Sequence, residues 1–305
     1  MRVLSMGLTA AAALLVSGCQ TVEPVSGGAA SVAASAFQSD RIQVTTVGTG
    51  PDVILIPGLS SSPPRAWGET VERLPGYRYH LIQVKGFAGV PAGANVSGPV
   101  AAPVAEEIAR YIREARLQRP AVVGHSMGGT IGMMLAARQP ELIGRLMVVD
   151  MTPFMGAFFG MPNATADQMR PMAEQIRSVM SGPATPQGEA MLEQTINGMV
   201  QTQSARAAIL ADSRASDRRA TANSYYELLT TDLRPELAAI KVPVTVLYVT
   251  PQGAPVTDAQ VDALYRSYYG GLSGVKLVRV PDAAHFIQVD APERFTQELR
   301  SCLGS

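Results

Sequence analysis

Residues 121–129 read Ala-Val-Val-Gly-His-Ser-Met-Gly-Gly, and this stretch decides the fold. A short β-branched run leads into small residues, and a segment dense in Ala, Met and Leu continues to Arg138. This order predicts a strand, a sharp turn and a helix, with Ser126 at the turn of a G-x-S-x-G pattern. Side chains at Gly124 and Gly128 would collide with neighbouring elements in so tight a turn, so both positions suit glycine.

The turn predicts a reactive serine. Its sharpness forces Ser126 into a strained backbone conformation that presents the hydroxyl at the carboxyl-terminal edge of the sheet. The amides at the start of the following helix point to the same place, where they favour negative charge. Ser126 is therefore the predicted nucleophile, and the Met127 amide is a predicted hydrogen-bond donor to an oxyanion.

A serine hydroxyl needs a general base, and the chain has 3 histidines. His80 lies within a strand pattern, and His125 adjoins the serine on a turn that directs its side chain away from the hydroxyl. His285 instead follows the last predicted strand, in a loop before a helix that begins near Ala291. Position and elimination select His285 as the base.

Strand and helix patterns alternate along much of the chain. Helical spacing of apolar residues occurs at 104–116 and 128–138, and no convincing strand is found between Met151 and about Leu233. The alternation predicts an α/β fold with a mostly parallel central sheet and helices on both faces. Apolar runs bounded by turn residues predict strands at 42–47, 53–56, 79–84, 121–124, 146–149, 244–249 and 276–280.

From about Arg41 to the C terminus, the chain resembles the α/β-hydrolase family, in particular its lipases, esterases and epoxide hydrolases. The resemblance implies that residues 40–150 and 234–305 form the hydrolase core. It also implies a helical lid at residues 151–233, inserted after the sixth strand of that fold.

A second motif of the family lies at residues 56–60, which read Ile-Pro-Gly-Leu-Ser. The stretch matches the oxyanion loop after the family's third strand, although Pro57 replaces the usual histidine. The second oxyanion donor would then be the amide of Leu59 or Ser60. Leu59 is preferred because it directly follows the glycine.

The acidic member of a catalytic triad is where the resemblance weakens. The family usually carries this residue after the strand at 244–249, but Ala254 occupies the expected position. Some members carry it one strand earlier, where Asp150 ends its strand and could orient the second ring nitrogen of the base. Asp150 is the preferred acid, although an aspartate there could also only brace the first turn of the lid. Asp258, another orienter such as Asp282, and an incomplete triad stay open as alternatives.

Composition excludes several classes of function. The 305 residues carry 25 basic and 25 acidic side chains, and 47% of them are hydrophobic. Zero net charge offers no basic surface for nucleic acid and no polybasic face for an anionic membrane. Because 2 cysteines and 3 histidines do not readily form a zinc cluster, no metal site is expected. The predicted chemistry needs no cofactor.

The N terminus is typical of an exported lipoprotein. Residues 1–18 contain an apolar stretch too short to span a bilayer, and the Val-Ser-Gly that precedes Cys19 resembles the bacterial lipobox. This resemblance predicts cleavage before Cys19, lipidation of its thiol and a flexible tether over residues 19–39. Gln20 favours the outer membrane, with the protein facing the periplasm. A plain secretory signal and an uncleaved anchor are the alternatives.

Together these features predict a serine hydrolase that cleaves carboxylic esters through an acyl-enzyme. The few charges among the apolar residues of the lid favour a small neutral or hydrophobic acyl ester as the substrate. Two other classes stay open: an envelope acyltransferase that passes the acyl group to an alcohol or lipid, and a catalytically inactive hydrolase-fold protein that binds a ligand. The sequence does not determine the oligomeric state.

Overall fold

A computed structural model describes residues 33–34, 37–156 and 164–304 of the chain. The predicted signal peptide at residues 1–18 and the lipidation site Cys19 lie outside these described residues. Two parts of the predicted tether are described. Ala33 and Ala34 pair with strand residues Thr46 and Thr45, and the Phe37 ring packs edge-on against Tyr111, with 5.2 Å between ring centroids.

The central sheet confirms the prediction of a mostly parallel α/β fold. Its order is β1-β2-β4-β3-β5-β6-β7-β8, in which β2 pairs antiparallel with β1 and β4 and the remaining neighbours are parallel. The sequence did not predict β1, which has two residues and no apolar run. The strands are β1 (Ala33–Ala34), β2 (Ile42–Gly48), β3 (Asp52–Ile56), β4 (Arg78–Val84), β5 (Ala121–His125), β6 (Arg145–Val149), β7 (Val244–Tyr248) and β8 (Lys276–Arg279).

Helices cover both faces of this sheet. In β3, Val53 packs in one apolar cluster with Trp67 and Phe295, whereas its neighbour Ile54 packs on the opposite face with residues such as Ile108. Because alternate strand residues point to opposite faces, a continuous apolar run implies burial on both sides. The helices are α1 (Pro63–Arg73), α2 (Ala101–Glu114), α3 (Met127–Arg138), α4 (Ala166–Ser181), α5 (Pro186–Met199), α6 (Gln203–Ala215), α7 (Arg218–Thr230), α8 (Asp258–Tyr268), α9 (Ile287–Asp290) and α10 (Pro292–Leu303).

The predicted helical lid is confirmed. Helices α4 to α7 lie between β6 and β7, and no strand occurs among the described residues of this insertion. Backbone hydrogen bonds join the lid to the loop after β4: Asp217 N donates to Gly86 O at 2.7 Å, and Gly89 N donates to Ala215 O at 3.1 Å. Across the described residues, none of the helices is long and apolar enough to cross a membrane.

A lid carboxylate caps a helix of the core. Glu227 of α7 is only 7% exposed, and its oxygens accept the backbone N–H groups of Val100 and Ala101, both at 2.6 Å, and of Ala102 at 2.8 Å. These amides open α2, which has no side-chain cap of its own. The first N–H groups of a helix lack intrahelical acceptors, so Glu227 satisfies three of them from a distant part of the chain.

Replacing Glu227 by glutamine should destabilise the folded protein. The variant loses the charge and one of two acceptor oxygens, which leaves a buried N–H group without a full partner. We expect the free energy of unfolding to fall by about 1–3 kcal/mol, measured by urea denaturation. Glu72→Gln, at an exposed position on α1, is the control and should change stability by less than about 0.5 kcal/mol. Equal stability of the two variants would contradict the capping role.

Candidate active site

The strand-turn-helix at residues 121–129 forms as the sequence predicts. Ser126 stands between β5 and α3 with φ of 53° and ψ of −121°, a region that non-glycine residues seldom occupy. Its N–H donates to Val149 O at 2.9 Å, and its carbonyl accepts the Gly129 N–H at 2.7 Å. These bonds hold a conformation that costs on the order of 1–3 kcal/mol, a strain typical of functional turns.

Both glycines of the motif are required by close backbone approach. A Cβ atom on Gly124 would lie 2.0 Å from Gly128 O, and one on Gly128 would lie 2.2 Å from Ile56 O. Contacts this short cannot be relieved by a side-chain movement, because the opposing atoms belong to the backbone. The turn therefore packs directly on the end of β3.

His285 and Asp150 form a hydrogen-bonded pair. Asp150 directly follows β6 with a positive φ of 50°, and its Oδ2 accepts from His285 Nδ1 at 2.6 Å. The other oxygen, Oδ1, accepts from Val249 N at 3.2 Å and from the Tyr265 hydroxyl at 3.3 Å. The carboxylate is thus held in place from β7 and α8, and it fixes the orientation of the His285 ring with Nε2 as the free nitrogen. Tyr265 was not predicted as a site residue, because a tyrosine on a helix carries no signal of a contact with a carboxylate 115 positions away.

The two alternative acids lie in other surroundings. Asp258 is the first residue of α8, where it accepts from the Thr250 hydroxyl at 2.6 Å and pairs with Arg279 at 2.6 Å. Asp282 is an exposed turn residue with φ of 58°. Of the three aspartates weighed from the sequence, the structure brings Asp150 to His285.

His125 joins the serine turn to the loop that carries His285. Its ring is fully buried and packs against the rings of His285 and Phe286, at centroid distances of 4.7 and 4.6 Å. Its Nε2–H donates to the carbonyl oxygen of His285 at 3.0 Å. Burial, with a smaller contribution from His285, lowers the pKa of His125 well below its ordinary value, so the ring stays neutral. His125 is therefore a structural contact between the serine turn and the loop that carries His285.

Acidification should destabilise the protein through its buried histidines. Burial lowers the pKa of both His80 and His125, so the folded chain leaves them neutral at a pH where the unfolded chain takes up protons. Because the unfolded state then binds more protons, the free energy of unfolding keeps its full value above pH 6.5. It decreases as the pH falls below 6.5. The loss is up to about 1.4 kcal/mol per pH unit for each histidine.

Urea denaturation at pH 7.5 and at pH 5.5 measures this loss. His125→Asn should reduce the difference between the free energies of unfolding at the two pH values. This expectation is independent of any change in stability at pH 7.5. An unchanged difference in that variant would show that His125 does not contribute.

The predicted oxyanion loop lies against the serine turn. A Cβ atom on Gly58 would be 3.2 Å from the Ser126 Cβ, so Leu59 directly follows a residue in contact with the turn. Two contacts join this loop to the lid. Ser60 Oγ lies 3.1 Å from Thr221 Oγ1, and Ser62 N donates to Asp212 Oδ2 at 2.9 Å. Met127 directly follows Ser126 and is the first residue of α3.

The described residues contain no group of three or more His, Cys, Asp or Glu side chains that could hold a metal ion. Cys302 lies on α10, where burial raises the pKa of its thiol. This places it among packed residues and makes it a poor nucleophile.

The sheet and the serine turn define the class of this molecule, an α/β protein with a nucleophile elbow at the carboxyl edge of a parallel sheet. The chain belongs to the alpha/beta hydrolase family, whose model matches residues 53–298.

Esterases are among the relatives. A pimeloyl-[acyl-carrier protein] methyl ester esterase of Nitrosomonas europaea is 26% identical over 83% of this chain and 96% of that protein. Esterase Rv0045c of Mycobacterium tuberculosis is 29% identical over 66% of each chain. The first curated relatives are matched over only 39%, 37% and 20% of their own lengths.

Solved structures show the same fold. An esterase from Exiguobacterium antarcticum superposes with a TM-score of 0.70 at 20% identity, covering 87% of this chain and 96% of that chain.

Proposed function

We propose that the protein is a serine hydrolase that cleaves carboxylic esters through an acyl-enzyme intermediate. The observation that carries the proposal is the 2.6 Å contact between His285 Nδ1 and Asp150 Oδ2, at the sheet edge where Ser126 is held on a strained elbow. Each of the three groups comes from a different loop at the carboxyl edge of the sheet. The esterases among the relatives support the same reaction class.

The geometry suggests a definite sequence of proton transfers. His285 Nε2 accepts the proton of Ser126 as the serine oxygen attacks the ester carbonyl, and Asp150 stabilises the resulting imidazolium. The Met127 and Leu59 amides donate hydrogen bonds to the oxyanion. His285 then gives its proton to the departing alkoxide, which leaves an acyl group on Ser126. A water molecule deprotonated by His285 attacks this acyl group, and as the bond to Ser126 breaks His285 returns the proton to the serine oxygen and the carboxylic acid is released.

The proposed substrate is a small neutral or hydrophobic acyl ester. Phe286, the residue after the base, belongs to an apolar cluster with Ile196, Val200 and Ile209 of the lid. Apolar lid side chains packed on the residue after the proposed base support an uncharged acyl chain over a charged metabolite.

Mass spectrometry of the fluorophosphonate-treated protein tests this function. We expect one adduct, on Ser126, and turnover of p-nitrophenyl esters that the same reagent abolishes. A folded protein that neither reacts nor hydrolyses any ester would contradict the proposal and favour the inactive binding protein.

We also propose that the protein is an outer-membrane lipoprotein that faces the periplasm. The support is the lipobox-like sequence before Cys19. Cys19→Ala should abolish metabolic labelling with palmitate, while Cys302→Ala should leave the labelling unchanged. Labelling that persists in the Cys19 variant would contradict the lipid anchor.

A further inference from the structure

The loop that carries the base is bound to the lid through one carboxylate. We call residues 280–286, between β8 and α9, the histidine loop, and residues 200–202, between α5 and α6, the lid connection. Asp290, at the end of α9, accepts the N–H groups of Gln201 at 3.0 Å and Thr202 at 2.8 Å from the lid connection. Its second oxygen accepts the N–H of Ala284, the residue before His285, at 3.0 Å.

A second set of contacts ties the other side of His285 to the lid. Phe286 N donates to Met199 O, the last residue of α5, at 3.2 Å. The Phe286 side chain packs with Ile196 and Val200 in the apolar cluster of the lid. The backbone of the histidine loop is therefore joined to the lid on both sides of His285. Ala284 is joined through Asp290, and Phe286 is joined directly.

The core makes the third attachment, through the hydrogen bond from His125 Nε2 to His285 O. Three consecutive residues of the histidine loop thus each use one backbone polar group in a contact with another element. Of these contacts, that of Phe286 is made directly with the lid, and that of Ala284 reaches the lid connection through Asp290.

We propose that Asp290 is a positioning residue for the base, which couples the lid connection to the histidine loop and so sets the location of His285. The inference rests on the proposed function, since His285 must act as the base. An ionised carboxylate accepts several N–H groups at once, and charge-assisted bonds of this kind are about twice as strong as neutral ones. Asparagine offers one acceptor oxygen and a competing N–H₂ group, so the lid connection or Ala284 loses its partner.

Steady-state kinetics of Asp290→Asn on a p-nitrophenyl ester tests the proposal. A misplacement of about 1 Å at a reacting group costs about 100-fold in rate, so we expect kcat to fall by about 10- to 100-fold. KM should change by less than about threefold, because the lost contacts touch the base and not the substrate. The rate of fluorophosphonate labelling at Ser126 should fall in parallel with kcat.

Glu227→Gln is the matched control. Glu227, like Asp290, is a carboxylate that accepts backbone N–H groups across the boundary between lid and core, but its partners open α2 and lie outside the histidine loop. It should lower stability and keep kcat near the wild-type value. Comparable losses of kcat in the two variants would mean that Asp290 acts only through overall stability, which would overturn the proposal.

Thr202→Pro supplies a second variant that leaves Asp290 in place. Thr202 has φ of −65°, which proline adopts without strain, so the substitution removes the N–H donor to Asp290. We expect a smaller loss of kcat than in Asp290→Asn, again with little change in KM. If Asp290→Asn does not fold, this variant decides the question, and unchanged kcat in it would overturn the proposal.

The wild-type protein separates the two levels of the argument. If it neither hydrolyses esters nor reacts with the fluorophosphonate, the proposed function is wrong and the positioning role falls with it. If the wild type is active and the folded Asp290→Asn protein retains full kcat, only the positioning role is wrong.

Discussion

Replacing Ser126 by alanine should abolish ester hydrolysis, with a fall in kcat of about 10⁴- to 10⁶-fold. The attacking oxygen is lost, so no acyl-enzyme forms, and the oxyanion donors alone can give only a small residual rate. Alanine also has to adopt φ of 53°, a strain that the serine already bears, so the fold should be retained. Turnover of p-nitrophenyl butyrate and covalent labelling by a fluorophosphonate are the two measurements.

Ser224→Ala is the matched control for this substitution. Ser224 lies buried on α7, where its hydroxyl donates to Ala220 O of the same helix at 2.7 Å. That variant should keep wild-type kcat and labelling. If Ser126→Ala still hydrolyses the ester at the wild-type rate while unfolding at the same urea concentration, the nucleophile lies elsewhere.

Asp150→Asn should lower kcat by about 10³- to 10⁴-fold, the second largest effect expected. The carboxylate accepts from His285 Nδ1 at 2.6 Å, which sets the tautomer that leaves Nε2 ready to take the Ser126 proton. An amide can instead direct its N–H₂ at Nδ1 and stabilise the opposite tautomer, and it supplies no charge opposite the imidazolium. The loss should fall mainly on kcat, because no substrate atom touches Asp150 in the proposed mechanism.

Asp258→Asn provides the comparison that separates the two candidate acids. It removes a carboxylate from α8 and weakens an exposed ion pair with Arg279, a contact worth at most about 1 kcal/mol. Its kcat should stay within about twofold of the wild-type value. A severe loss in Asp258→Asn, together with near-normal turnover in Asp150→Asn, would reverse the assignment of the acid.

Local sequence was enough to predict the elements that depend on neighbouring residues. The run 121–129 determines its strand, turn and helix because each residue type there suits only that backbone, and Gly124 and Gly128 face backbone atoms that exclude a side chain. The predicted strands from 42–47 onward all have counterparts in the sheet, since apolar β-branched runs between turn residues carry their own signal. Strand β1 was not predicted because two alanines carry no such signal and pair only when β2 is already in place.

Contacts between distant parts of the chain were not predictable from local sequence patterns. The sequence could list Asp150, Asp258 and Asp282 as acids, but Asp150 and His285 are 135 positions apart and only the sheet brings β6 and the histidine loop together. Glu227 and Asp290 gave no sequence signal at all, because a carboxylate that accepts backbone N–H groups from another element looks like any other surface charge.

The sequence by itself therefore determined the fold class and the serine turn, and it selected His285 as the predicted base among 3 histidines. Periodicity, turn chemistry and elimination act over a few residues or over simple counts, and they need no knowledge of the rest of the molecule. Only the tertiary structure showed that Asp150, already preferred among the aspartates, meets His285 and that Asp290 joins the histidine loop to the lid connection. Those contacts depend on where strands and loops meet in space. Every residue except proline has a backbone N–H to donate, so a local sequence pattern does not predict them.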